Sequence, residues 1–143
     1  MVLEEKIERL TLKLDAEDLS VRSLDFKAVM TRIEEAFLAI GDENYEYNGW
    51  LERIGNYQEI KFDLKLYELM DLILEDKTKY WWILIDPPFY QHSRHRLFEA
   101  TKLGGKALIQ IFRDSPIFVV DKKYEWMKVI LTDEKILKEK TKL

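Results

Sequence analysis

The chain predicts an α+β fold: N-terminal helices packed on a small, mostly antiparallel sheet formed by the C-terminal half. Three observations predict it. Residues from Phe26 to Ile40 carry an apolar stripe at helical spacing, Trp81 to Ile85 form an unbroken aromatic and aliphatic run, and Ile117 to Leu131 alternate around a polar turn. Helices first and strands later, with one helix inserted, suit an α+β domain better than a regular alternation of parallel units. With 143 residues, 47% of them apolar, the chain has material for one core. The expectation is a single domain over residues 1–143 whose tail frays from about residue 133.

Taken in order, Leu3, Ile7, Leu10 and Leu14 recur on one helical face, with Glu4, Glu5, Glu8 and Lys13 outside it. Phe26, Val29, Met30, Ile33, Phe37 and Ile40 make the second and clearer helix, with Ser23 as its cap and Gly41 as its stop. Asp42 to Gly55 turns polar and aromatic, which predicts an ordered loop. Ile60, Phe62, Leu64 and Leu66 alternate as a strand would, while Leu66, Leu69, Met70 and Ile73 fit a helix. The helix is therefore placed from about Asp63 to Glu75 and the residues before it stay open.

Trp81, Ile83 and Ile85 point to one side of a strand and Tyr80, Trp82 and Leu84 to the other, which predicts a central strand covered on both faces. Arg94 to Ala100 is a candidate strand. Thr101 is a plausible cap for the helical spacing that ends at Arg113, before Asp114-Ser115-Pro116. Ile117 to Val120 and Glu125 to Leu131 read as a hairpin around Asp121-Lys122-Lys123-Tyr124. Thr132 to Leu143, lysine-rich among acids, reads as a frayed helix or a disordered end.

Composition narrows the chemistry. The absence of cysteine excludes a disulfide framework, a thiolate metal site and a cysteine nucleophile. Lys and Arg number 23 against 27 Asp and Glu, a net charge of -4, which does not favour a phosphate backbone as partner. The local basic group Arg94, Arg96, Lys102 and Lys106, with Tyr90 and Phe98 between, is on such a chain ordinarily a surface that balances neighbouring carboxylates. No apolar run approaches the roughly 20 residues that cross a bilayer, and Met1 to Lys6 lack the pattern of a signal peptide. No membrane partner is expected, and a cytoplasmic location follows as the default.

His92 and His95, three residues apart, would share a helical face and offer two nitrogens to zinc, but no third ligand is identifiable, so no metal is expected. Neither a phosphate-binding Gly-x-x-x-x-Gly-Lys loop nor a Ser, His and acid set is present.

Asp86-Pro87-Pro88-Phe89, directly after the apolar strand, resembles the signature loop of amino-group methyltransferases. The resemblance implies that Asp86 and the Pro87 carbonyl would bind a target amino group while Phe89 stacks on a flipped base. Leu103-Gly104-Gly105 and the apolar segment after it resemble that family's later strand beyond a Gly-Gly turn. Such enzymes hold S-adenosylmethionine on a glycine-rich strand-to-helix turn. Before Trp81 this chain has only Gly41, Gly49 and Gly55, none directly after an apolar strand, so no cofactor is expected. The plainer reading is that two prolines set a rigid strand exit.

Ile117 to Trp126, with Trp81 to Ile85 upstream, is similar to a pattern in small bacterial proteins associated with toxin-immunity systems, in which a strand ends in a Lys-Lys-Tyr/Phe turn and returns through a Trp. It covers the C-terminal half and implies a small binding protein that neutralises a cognate toxin, with no catalytic residues. Independently, Asp42, Glu43, Tyr45, Glu46, Tyr47 and Trp50 interleave acids with aromatic rings. Acids steer the encounter with a basic partner and rings supply contact area, although the same tyrosines could pack on their own domain. The expectation is a non-catalytic protein-binding domain with an immunity or anti-toxin role as its sharpest form. The alternative is an S-adenosylmethionine-dependent amino-methyltransferase fragment or subunit using Asp86 to Phe89.

Overall fold

A computed structural model describes residues 9–10, 12–15, 17–21, 26–37, 57–74, 79–85, 97–113, 115–132 and 134–141. Their elements run β1 (Leu19–Val21), α1 (Phe26–Phe37), β2 (Gln58–Lys61), α2 (Leu66–Ile73), β3 (Trp81–Ile85), β4 (Leu97–Ala100), α3 (Lys102–Ile111), β5 (Ile117–Asp121), β6 (Trp126–Leu131) and β7 (Ile136–Thr141). The seven strands form one sheet in the order β1-β4-β3-β5-β6-β7-β2, and each neighbouring pair is antiparallel. The fold is α+β.

The apolar run at β3 explains the layering. All five of its residues are buried, and it lies between β4 and β5. Side chains alternate across a strand, so its two faces feed two separate clusters. Trp81, Ile83 and Ile85 meet Phe98, Ile117 and Val119, roofed by Leu69, Met70 and Ile73 of α2 and by Leu108 and Ile109 of α3. Trp82 and Leu84 meet Leu97, Phe118, Val120, Met127 and Val129, roofed by Val29, Ile33 and Phe37 of α1. Helices thus cover both faces of an antiparallel sheet. Each large aliphatic or aromatic side chain so buried contributes about 1.5–3 kcal/mol.

The placement of elements corrects the expectation in two ways. The helices are not all N-terminal, because α3 follows β4. The sheet is not confined to the C-terminal half either, because β1 pairs with β4 and β2 pairs with β7. Ile60 and Phe62 belong to the strand period and Leu69, Met70 and Ile73 to the helix period, so both overlapping patterns are used in turn. The helix starts at Leu66 rather than near Asp63.

The segment expected to fray from about residue 133 instead forms β7, held between β6 and β2, with Leu137 buried opposite Ile130 and Ile60. Two strand neighbours satisfy its backbone groups, and such pairing outweighs its weak local signal. At the N-terminus, Leu10 is buried and Leu14 packs beside it, joined by a bond from the Leu14 amide to the Leu10 carbonyl. Ser23 and Gly41, the expected cap and stop of α1, lie outside the described residues.

Candidate functional site

Three groups of polar side chains stand out, two at turns or ends of strands and one between helices. The first is built by the β5–β6 turn. Asp121 Oδ1 accepts hydrogen bonds from the Glu125 and Trp126 amides at 2.7 and 3.0 Å, and Tyr124 takes a left-handed φ of 56°. This closes the turn, and Lys122 within it reaches back over β3. Its ammonium lies 3.4 Å from the centroid of the Trp82 ring and pairs with Glu99, which stands directly opposite Trp82 on β4. Arg32 of α1 covers the Tyr124 ring at 4.4 Å. Two cations on two aromatic faces pin the turn to the strand and helix behind it, each worth about 0.5–2 kcal/mol.

The second group joins the two helices of the other face. Asp71 of α2 pairs with Lys106 and, at 3.4 Å, with Lys102, both on α3. The hydrogen bond from Lys106, supported by Lys102, holds the Asp71 carboxyl below its ordinary range. Two of the four residues in the basic group are therefore turned toward a carboxylate. Arg94 and Arg96 lie outside the described residues.

The third group is the corner where β6 begins, β7 ends and β2 begins. Tyr57, Gln58, Trp126, Met127, Lys128, Glu139, Lys140 and Thr141 line an open depression of about 360 Å³. Lys138 sits 4.5 Å from the Tyr57 ring centroid and Lys128 4.7 Å from that of Trp126, so both rings of the corner carry a cation. Lys140 is buried opposite Met127, and desolvation lowers its pKa from the ordinary 10.5. A lowered lysine pKa means that the folded state holds its proton less tightly than the unfolded chain. Burial of this charge therefore costs stability at neutral pH, and the cost lifts as pH rises toward 10.5. The corner can offer aromatic contact area beside positive charge.

Asp42, Glu43, Tyr45, Glu46, Tyr47 and Trp50 all lie outside the described residues, as do Asp86, Pro87, Pro88 and Phe89 and both histidines. The fold fixes where these segments are tethered. Residues 38–56 leave from Phe37, the fully buried last residue of α1, and arrive at Tyr57 in the third corner, while Asp86 follows directly on the last residue of β3. Among the described residues no group of three or more His, Asp or Glu side chains could hold a metal ion, and no helix is long and apolar enough to cross a membrane. Leu103-Gly104-Gly105 belong to α3, so the strand implied there by the methyltransferase resemblance is a helix.

Sequence reasoning missed Tyr57, Gln58, Lys128, Glu139, Lys140 and Thr141 as neighbours of one depression. No alternation marks β7, since its two apolar residues Ile136 and Leu137 are adjacent and fall on opposite faces, so no local signal pointed to the corner. No protein-family model, curated protein or solved structure matches the chain.

Proposed function

We propose that this chain is a non-catalytic protein-binding domain whose interface is the acidic, tyrosine-rich segment from Asp42 to Trp50, with Tyr57 farther along the same connection. The immunity form of the proposal makes the partner a basic toxin. One observation carries it: the chain between Phe37 and Tyr57 is tethered at both ends to the framework, and its second tether is the aromatic wall of an open depression. Acids at Asp42, Glu43 and Glu46 would steer a basic partner, and Tyr45, Tyr47, Trp50 and Tyr57 would supply ring contacts.

The test is calorimetry against the purified product of the adjacent gene, over a range of salt, with Asp42, Glu43 and Glu46 reversed to Lys. The reading expects a complex that weakens with salt and loses about tenfold or more in affinity on charge reversal, ~1.4 kcal/mol. If the three acids instead serve to balance Lys61, Lys138 and Lys140 of this chain, reversal lowers thermal stability and leaves affinity and its salt dependence untouched. That result overturns the proposed interface.

A second reading is favoured by the position of Asp86 immediately after the buried central strand, where an amino-methyltransferase would place its loop of Asp86, Pro87, Pro88 and Phe89. It carries less weight. Both neighbours of β3 run antiparallel to it, and the Gly-Gly pair packs within a helix. Absence of heat on titrating S-adenosylmethionine to millimolar concentration removes it.

A further inference from the structure

β2 is an edge strand, and all four of its residues are exposed. Its pairing with β7 determines which of its backbone groups are already used. The Phe62 amide donates to the Lys135 carbonyl at 2.9 Å, and the same register sets Ile60 opposite Leu137 and Gln58 opposite Glu139. In an antiparallel ladder, residues that exchange hydrogen bonds alternate with residues that do not. Phe62, Ile60 and Gln58 therefore turn their N–H and C=O groups toward β7. Glu59 and Lys61 turn theirs away from the sheet, toward whatever lies beyond the edge.

An antiparallel strand added there must place residues with outward groups opposite one another. For a second copy of β2 related by a two-fold axis, this leaves three registers. Glu59 opposite Glu59 and Lys61 opposite Lys61 each set like charges face to face, which is unfavourable. The third sets Glu59 opposite Lys61 twice and Ile60 opposite Ile60 on the axis. It completes the outward hydrogen bonds of both residues, pairs both charges and covers Ile60, a side chain 43% exposed beside the buried Leu137.

We infer that this chain self-associates as a two-fold dimer through β2, with Glu59 paired to Lys61 of the second copy and Ile60 against its own counterpart. Charges on an edge strand ordinarily discourage pairing. Here the order Glu-Ile-Lys makes the edge complementary to itself in one register and repulsive in the other two. The contact is short, so the association is weak, with a Kd on the order of 10–100 µM. It uses none of Asp42, Glu43 and Glu46, and its test reads self-association, so it stands or falls apart from the proposed partner.

Sedimentation equilibrium of the full chain across that concentration range reads the mass directly. The expected result is a monomer–dimer equilibrium that Glu59→Lys and Lys61→Glu each weaken at least about tenfold, and that the double variant Glu59→Lys/Lys61→Glu restores. Circular dichroism melts confirm that each variant is folded. Amide hydrogen exchange supplies a readout independent of substitution: protection at the Glu59 and Lys61 amides rises with protein concentration, while the Ile60 amide, already bonded to β7, does not change. A chain that stays monomeric throughout, or a dimer that both single variants leave intact, overturns the inference.

Discussion

Gly104 stands in the first turn of α3, where the helix abuts the lead-in to β1. Thr101 caps that helix, accepting from the Gly104 amide, and its hydroxyl donates to Asp18 Oδ1 at 2.8 Å while its amide donates to the Asp18 carbonyl at 3.0 Å. The helix is thereby drawn so close that a Cβ on Gly104 would overlap the Asp18 carbonyl oxygen, which is backbone and cannot swing aside. Gly105 differs: its Cβ would meet the ends of the Ile83 and Leu74 side chains at 3.0 Å. Alanine is the better helix former by about 0.5–1 kcal/mol at either position. At Gly104 that gain is overridden by a forced backbone shift, so Gly104→Ala is expected to destabilise by roughly 1–3 kcal/mol. Gly105→Ala, where flexible side chains can yield, costs less. Urea midpoints of the two variants decide it, and equal losses would mean that the Asp18 contact is not what requires glycine.

Among the elements, those whose period is expressed by their own residues were legible. Val29, Ile33 and Phe37 line the buried face of α1, the two-sided pattern of Trp81 to Ile85 is that of a central strand, and Asp121 begins a turn that its side chain closes. β7 was not legible. Ile136-Leu137-Lys138-Glu139-Lys140-Thr141 holds two apolar residues, and its strand character comes from β6 and β2 on either side, the latter some 75 residues earlier in the chain. Local reasoning weighs propensity and periodicity, and neither registers a partner so distant in sequence. The corner depression was hidden for the same reason, since half of its wall belongs to strands β7 and β2. Removing residues 134–143 tests the assignment. As a strand, β7 when deleted leaves β6 an edge paired only with β5 and detaches β2, so amide protection at Gln58 and Ile60 vanishes and several kcal/mol of stability are lost. A frayed tail would leave the free energy of urea unfolding within about 0.5 kcal/mol of that of the full chain.

Across the whole molecule, the sheet divides the core into two clusters that share strands but no side chains. Ile83 belongs to the side roofed by α2 and α3, and Ile33 to the side roofed by α1. Packing defects on opposite faces share no side-chain cluster through which to relax, so their effects should add. Ile33→Val and Ile83→Val are each expected to cost about 0.5–1.5 kcal/mol, and the double variant should equal their sum within ~0.5 kcal/mol. On a single face the outcome differs. Leu74 and Ile83 both approach to 3.0 Å the point where a Cβ on Gly105 would stand. The cavity left by Leu74→Ala is therefore open to Ile83, and the pair Leu74→Ala with Ile83→Val should depart from additivity by about 0.5–3 kcal/mol. These losses must be read against a total stability of about 5–15 kcal/mol, which makes equilibrium urea unfolding of the three single and two double variants practicable. Coupling between Ile33 and Ile83 as large as that between Leu74 and Ile83 would show that strain passes through the sheet, and that the two clusters behave as one core.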